Sequence, residues 1–261
     1  MTSFASRTVT AELLDVALAA ARAGARVLRD GALGAPQITV KGERGNLVTD
    51  VDVAAERAVR EVLAARRPGD EVTGEELPDS ASAGSALRWS IDPLDGTTNF
   101  TRGIPYYATS VGVVDGDGCW LAGAVIAPEL DKCYFGSLDG GAWLADSTGV
   151  RQLTGPAQDG EGARLLGMGY SYSAQIRAGQ YAMTAELMAG YTDARALGSA
   201  ALAVCAVAEG ALDGYIETDL AEYDWAAGAV IAEAAGLRVV RPTASSPMLR
   251  IEPEPAGACE I

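Results

Sequence analysis

Between residues 11 and 30 the apolar positions Leu14, Ala17, Leu18, Ala21, Ala25 and Leu28 recur in steps of three and four, which predicts an amphipathic helix. A second helix is predicted over 53–67, VAAERAVREVLAARR, and Pro68 ends it. Apolar stretches of strand length come next: RWSI ahead of Asp92, then 108–114 and 119–127 on either side of the turn DGDG. The segments DKCYFGS and GGAWLAD read as a further hairpin closed by LDGG. Pro93 has no N–H to give to a ladder, so strand pairing is predicted to stop there. Paired helices followed by consecutive antiparallel strands make the first half an α+β layer structure.

The pattern changes after a polar, glycine-rich stretch at 153–163. Strands at 164–169, 194–197, 214–217 and 237–240 alternate with helices at 174–189, 199–210 and 225–235, which predicts an α/β lobe. The tail 241–261 carries four prolines and reads as irregular. The chain therefore divides into an N-terminal lobe, 1–152, and a C-terminal lobe, 153–261.

Composition narrows the chemistry. The chain has no histidine, so Ser-His-Asp and Cys-His nucleophiles and helix-borne zinc-protease motifs are excluded. Hydrolysis here must use carboxylates, hydroxyls or metal-activated water. Acidic residues outnumber basic ones 35 to 20, a formal charge of −15, which argues against a basic surface for nucleic acid. The low-charge runs at 196–208 and 226–237 are too short or too weakly apolar to span a bilayer, so no membrane partner is expected. Cys119, Cys133, Cys205 and Cys259 show no CxxC spacing, and a reduced, cytoplasmic protein is the expectation.

The most informative stretch is WSIDPLDGTTNF at 89–100. It sets Asp92 and Asp95 at the exit of a strand, a place to hold metal ions. Gly96, Thr97 and Thr98 follow and would present amide hydrogens to an anion if a helical turn begins there. On the residues alone, DPxDG is equally a turn, and Asp224 in EYDWAAG and Asp52 before the second helix are equally helix caps. Capping and ligation do not exclude each other. Glu75 and Glu76 are either solvated loop acids or ligands. The segment GSA at 198–200 serves either close packing or contact with a bound molecule, and Glu217 is either an exposed strand-end acid or a hydrogen-bond acceptor.

These segments together resemble the signatures of the inositol monophosphatase family, magnesium-dependent and lithium-sensitive phosphatases of sugar and polyol phosphates. The likeness runs from about Lys41 to Gly236: KGERGNLVTDVDVAAE at 41–56, GEE at 74–76 seventeen residues before Asp92, WSIDPLDGTTNF, and EYDWAAG at 222–228. It implies the five-layer αβαβα sandwich, of the inositol monophosphatase and fructose-bisphosphatase type, with the site between the lobes. It implies Mg²⁺, two or three ions per site, held by Glu75, Asp92, the carbonyl of Leu94, Asp95 and Asp224. By the same resemblance Asp52 and Thr97 orient and deprotonate the attacking water, Glu75 takes part through its metal, and Lys41 and Glu76 lie close by. Gly96, Thr97, Ser199, Ala200 and Glu217 then contact the substrate, Glu217 standing seven residues before Asp224 as in the family.

The family's second signature usually has its aromatic residue just before the Asp, often Trp; here Tyr223 precedes Asp224 and Trp225 follows it. Inositol monophosphate is the expected substrate, hydrolysed as a phosphoric monoester. Histidinol phosphate, fructose 1,6-bisphosphate or an aminocyclitol phosphate are the alternatives within the family, and a homodimer is implied. A non-catalytic interaction protein on the same fold would have lost Asp52, Thr97 or a ligand, and none is lost.

Overall fold

The computed structural model describes residues 4–41, 46–81, 84–157 and 162–254. Two helices, α1 (Phe4–Gly31) and α2 (Asp50–Arg66), pack side by side through the apolar faces read from the sequence. Leu13, Ala17, Ala21 and Leu28 of α1 and Val59 and Leu63 of α2 are buried. Both helices begin earlier than their apolar periodicity. For α2 the reason is a capping box: the Thr49 hydroxyl accepts Val51 N–H at 3.1 Å, and the Asp52 carboxylate accepts Thr49 N–H at 2.8 Å.

The two helices cover one face of a seven-stranded sheet, β3 (Glu71–Gly74), β4 (Arg88–Asp95), β5 (Ala108–Val114), β6 (Trp120–Ala127), β7 (Lys132–Ser137), β8 (Gly141–Asp146) and β9 (Gly149–Leu153), whose spatial order is also its chain order. β3 runs parallel to β4, and every later neighbour is antiparallel. A small hairpin, β1 (Ile38–Val40) with β2 (Leu47–Thr49), precedes α2. The strands β1, β2, β3 and β9 went unseen in the sequence because they are short and carry little alternation.

The second sheet is five-stranded and mixed. Its order is β11 (Asp193–Arg195), β10 (Leu165–Met168), β12 (Gly214–Thr218), β14 (Met248–Pro253) and β13 (Leu237–Val240). The first three are parallel and the last two pairings antiparallel. β14 corrects the expectation of an irregular tail. Leu249 and Ile251 alternate inward there, and Pro253 stands at the last position, where a missing N–H is tolerated. Residues 158–161 of the expected linker and 255–261 of the tail, with Cys259, lie outside the described residues, as do 42–45 of the Lys41 segment. The thiols of Cys119, Cys133 and Cys205 are free.

Between the sheets lie α5 (Ala200–Glu209) and α6 (Glu222–Ala234). An all-apolar helix has no face for water and must be enclosed. Residues 200–208 of α5 are buried throughout, and so are 225–232 of α6. Small residues let them come close: a Cβ at Gly123 of β6 would stand 2.7 Å from the Ala227 carbonyl oxygen. The outer face of the second sheet buries Leu166, Met168 and Ile216 against Met183 and Leu187 of α4 (Ala174–Leu187). The layers are thus α1/α2, seven strands, α5/α6, five strands and α4, the expected αβαβα sandwich. Among the described residues no helix is long and apolar enough to cross a membrane.

Candidate active site

Side chains alternate across a strand, so two aspartates three residues apart belong on opposite faces of a sheet. β4 avoids this with a bulge. Asp92 is paired with Ser110 and Asp95 with Ala108, so three steps along β4 answer two along β5. One extra residue returns Asp95 to the face of Asp92. Trp89 and Ile91 point into the α1/α2 layer, and Leu94 packs there with Leu28 and Phe100. Pairing therefore continues past Pro93 instead of stopping, and the Pro93 carbonyl accepts the Thr109 hydroxyl at 2.9 Å.

A turn follows directly. Gly96 adopts φ +99°, and a Cβ there would lie 3.0 Å from the Tyr106 carbonyl oxygen and 3.2 Å from that of Gly198, so no other residue fits without strain. The short helix α3 (Thr97–Thr101) starts here, the helical turn that the sequence left as a condition.

Asp92, Asp95, Glu75 and Asp224 line one cleft of about 360 Å³ between the sheets, together with Leu94, Gly96, Thr97, Ser199, Ala200 and Glu217. Among the described residues these carboxylates surround the space without three of them closing on one point. Each leans on a donor of its own. Asp92 accepts Leu94 N–H at 3.1 Å and Asp224 accepts Ala221 N–H at 2.6 Å. Asp95 reaches across to the start of α5, where it accepts the Ser199 hydroxyl and Ala201 N–H, the latter at 2.7 Å. Ala200 N–H adds a bond of 3.2 Å to the same carboxylate.

Two cap assignments are corrected. Asp224 is not the cap of α6, which begins at Glu222 after Ala221; it is the third residue of the helix, and its carboxylate turns back to the Ala221 amide. Asp52 likewise follows the true cap, Thr49. It is fully buried, accepts the Thr49 hydroxyl at 2.5 Å on Oδ2, and accepts the Thr97 hydroxyl at 3.0 Å on Oδ1. Thr97 has a second acceptor in the Leu94 carbonyl, 3.1 Å away. Lys41, at the end of β1, donates to Glu76 and stands 3.5 Å from Glu75 Oε1. Lys41, Asp52 and Glu76 stand behind the cleft wall.

The opposite wall comes from the second sheet. Glu217 takes a short hydrogen bond from the Tyr215 hydroxyl, and β10 passes so close that a Cβ at Gly169 would overlap the carboxylate. It is half-buried and lines the cleft, and is not the exposed strand-end acid that the residues alone allowed. Nearby, Ser171 donates to Asp219, and Gln180 ties Thr218 to the Ser171 amide. Tyr215, Ser171 and Asp219 escaped the sequence reading because nothing local marks them.

The cleft holds six carboxylates and, among the described residues, no lysine or arginine lines it. Burial followed by the charges of Glu75, Asp95 and Asp224 drives Asp92 well above the ordinary carboxylate range. Burial, then Asp95 and Glu75, do the same to Asp224. Burial takes Asp95 up to about 6 against the hydrogen bonds from Ser199 and α5. Glu75 is pushed up to about 7 by burial and the charges of Glu76 and Asp52, against the pull of Lys41, and burial takes Glu217 to about 7 as well. Such a set needs either protons or a cation to be stable. All its donors are hard oxygens, which fit a divalent ion of the magnesium or calcium kind.

Comparison with known proteins agrees on one family. The sequence pattern of the "Inositol monophosphatase family" matches residues 10–258. The inositol-1-monophosphatase of Mycobacterium leprae is 40% identical over 222 residues, covering 84% of this chain and 76% of that protein. The fructose-1,6-bisphosphatase/inositol-1-monophosphatase of Aquifex aeolicus is 36% identical over 228 residues, 85% of this chain and 83% of its own. The crystal structure of the extragenic suppressor protein suhB from Bartonella henselae superposes with a TM-score of 0.83 at 26% identity, covering 93% of this chain and 94% of the other.

Proposed function

Because the chain belongs to the inositol monophosphatase family, we propose that it hydrolyses inositol monophosphate, or a closely related polyol monophosphate, in the cleft between its two sheets. It is a phosphoric monoester hydrolase. The observation that carries the reading is the convergence of Glu75, Asp92, Asp95 and Asp224 on one buried space without a basic side chain among its described lining. A phosphate cannot enter such a space unless its charge and theirs are balanced. Glu75, Asp92, the Leu94 carbonyl, Asp95 and Asp224 would hold Mg²⁺, two or three ions. When bound, the cations supply Lewis acidity, withdrawing charge from the phosphoryl oxygens and making water a stronger acid.

The chain's own groups do the rest. Asp52 accepts the Thr97 proton through Oδ1, which frees the Thr97 oxygen to take a proton from water aimed at phosphorus. The amides of Gly96, Thr97 and Thr98 face the phosphate oxygens at the start of α3. Ser199 and Ala200, while holding Asp95, border the sugar or polyol. Glu217 uses one oxygen for Tyr215 and offers the other to a substrate hydroxyl. The cleft would thus divide the labour between a lobe of residues 1–152, with most of the metal ligands, and a lobe of residues 153–261, with substrate contacts and Asp224. Lithium sensitivity, a homodimer and a cytoplasmic location complete the proposal by the family's likeness. Fructose 1,6-bisphosphate is a second candidate, supported by the double name of the Aquifex relative.

Phosphate release from inositol monophosphates, fructose 1,6-bisphosphate, histidinol phosphate and adenosine 3′,5′-bisphosphate tests this directly. Release is expected with Mg²⁺ and fastest from inositol monophosphate, and EDTA should abolish it. Activity that survives EDTA would remove the cation from the reading, and a different preferred substrate would replace inositol. Glu217→Gln refines the point. It is expected to cost about 1.5–3 kcal/mol, or roughly 10- to 150-fold in kcat/KM, on a polyol phosphate and little on a small aryl phosphate without hydroxyls. Equal losses on both would assign Glu217 to the fold or the cation site.

A further inference from the structure

One buried carboxylate stands outside the chemistry described above. Glu56 lies one turn after Asp52 on α2 and, like it, is fully buried. Its Oε2 accepts Glu76 N–H at 2.7 Å, and its Oε1 accepts Leu77 N–H at 3.3 Å and Arg60 Nε at 2.8 Å. Arg60 closes the circuit by donating to the Leu77 carbonyl at 3.2 Å. On the other side Gly74 sits so tightly on the carboxylate that a Cβ there would overlap Oε1. Glu56 therefore grips residues 74–77 on both sides of Glu75, while Glu75 itself turns into the cleft.

We propose that Glu56 is a positioning residue: it fixes the backbone that carries Glu75 and so sets the affinity of the cleft for a divalent cation. This rests on the reading of Glu75 as a cation ligand. The logic is geometric. β3 ends at Gly74, and beyond it the loop has left the sheet ladder. An amide that leaves a ladder needs another acceptor when it is partly buried. Glu56 supplies that acceptor for two consecutive amides. Because Asp52 and Glu56 are one helical turn apart on the same face, α2 sets the spacing between the Asp52–Thr97 pair and Glu75. Glu56 touches neither the cleft nor Thr97, so its removal should change how well the cation is held and leave the chemical step of the loaded enzyme alone.

The test uses the whole protein stripped of metal. Mg²⁺ binding is measured by calorimetry on the unsubstituted protein, on E56Q and on G74A, beside kcat at saturating Mg²⁺. A glutamine has one acceptor oxygen and an NH₂ that opposes the Arg60 and backbone donors. The alanine displaces the Glu56 carboxylate while keeping its charge, and it decides the matter if E56Q does not fold. Both variants are expected to raise the Mg²⁺ dissociation constant tenfold or more with kcat at saturation within about twofold. A general loosening of the fold would not separate the two quantities in this way. Unchanged Mg²⁺ affinity in G74A, or kcat at saturation falling as far as affinity, would overturn the role of Glu56 alone. An unsubstituted protein that binds no divalent cation would overturn the functional reading and this inference with it.

Discussion

Asp52→Asn is expected to lower kcat by about 10²- to 10⁴-fold with KM nearly unchanged. The side chain keeps its shape, so the loss arises from exchanging a charged acceptor for a neutral donor. Oδ2 of Asp52 receives Thr49 N–H and the Thr49 hydroxyl, so in the variant the amide oxygen must stay there. The NH₂ then faces Thr97, whose hydroxyl has one proton and two acceptors, Asp52 Oδ1 at 3.0 Å and the Leu94 carbonyl at 3.1 Å. With a donor where Oδ1 stood, Thr97 must give its proton to the Leu94 carbonyl, and no base remains to take that proton away. The threonine can no longer take a proton from water. Thr97→Ala removes the same relay from its other end, and because the pair acts as a unit the double variant should be little worse than either single one. Steady-state kinetics at saturating Mg²⁺ decide this, and a loss below tenfold, or one confined to KM, would take Asp52 out of proton transfer.

In the metal-free protein the melting temperature is expected to fall as pH rises from about 5 to 8. Glu75 and Glu217 lie near 7 and Asp95 near 6 in the folded chain, all above the ordinary values of their kind. Between those values the folded state keeps protons that the unfolded state has released, so stability is present on the acid side and is lost as pH passes through 6 to 7. For one such group the loss is on the order of 3 kcal/mol. Mg²⁺ reverses the order by binding the ionised form. At a hundredfold excess over its dissociation constant it adds about 2.7 kcal/mol, worth roughly 5–10 °C in a chain of this size. Calorimetric melting at pH 5.5 and 8, with and without Mg²⁺, should show a large gain at pH 8 and a small one at pH 5.5. Equal gains at both would mean that the cation binds elsewhere than at these carboxylates.

The sequence disclosed much of this protein because its signals were local. Helical periodicity located α1 and α2, and the strand at 108–114 was read to the residue. DPLDG and EYDWAAG left turn, cap and ligand open on their residues, and the family resemblance of the whole strings singled out their acids. What escaped was set by partners distant in the chain. β14 and β3 are strands because β12 and β4 lie beside them, and their own residues alternate too briefly to declare it. Asp52 and Asp224 looked like caps since an acid ahead of an apolar run is the usual sign; the helices start earlier, at Asp50 and Glu222, and both acids are third residues. Glu56 had one faint marker, its position four residues after Asp52. Ser199 was read as a substrate contact, and its hydroxyl was found on Asp95, 104 residues away, a link no local pattern contains.

The bulge in β4 makes the chemistry of the cleft a matter of parity. Asp92 and Asp95 share a face only because an odd interval is offset by one surplus residue. An exchange of side chain at position 93 or 94 leaves that count intact, and the two acids stay where they are. Removal or insertion of a single residue between them inverts it, sending Asp95 toward the apolar layer of Leu28 and Phe100 while α5 loses the carboxylate that holds its first turn. Length, more than identity, thus decides whether the two acids of this short segment share a face.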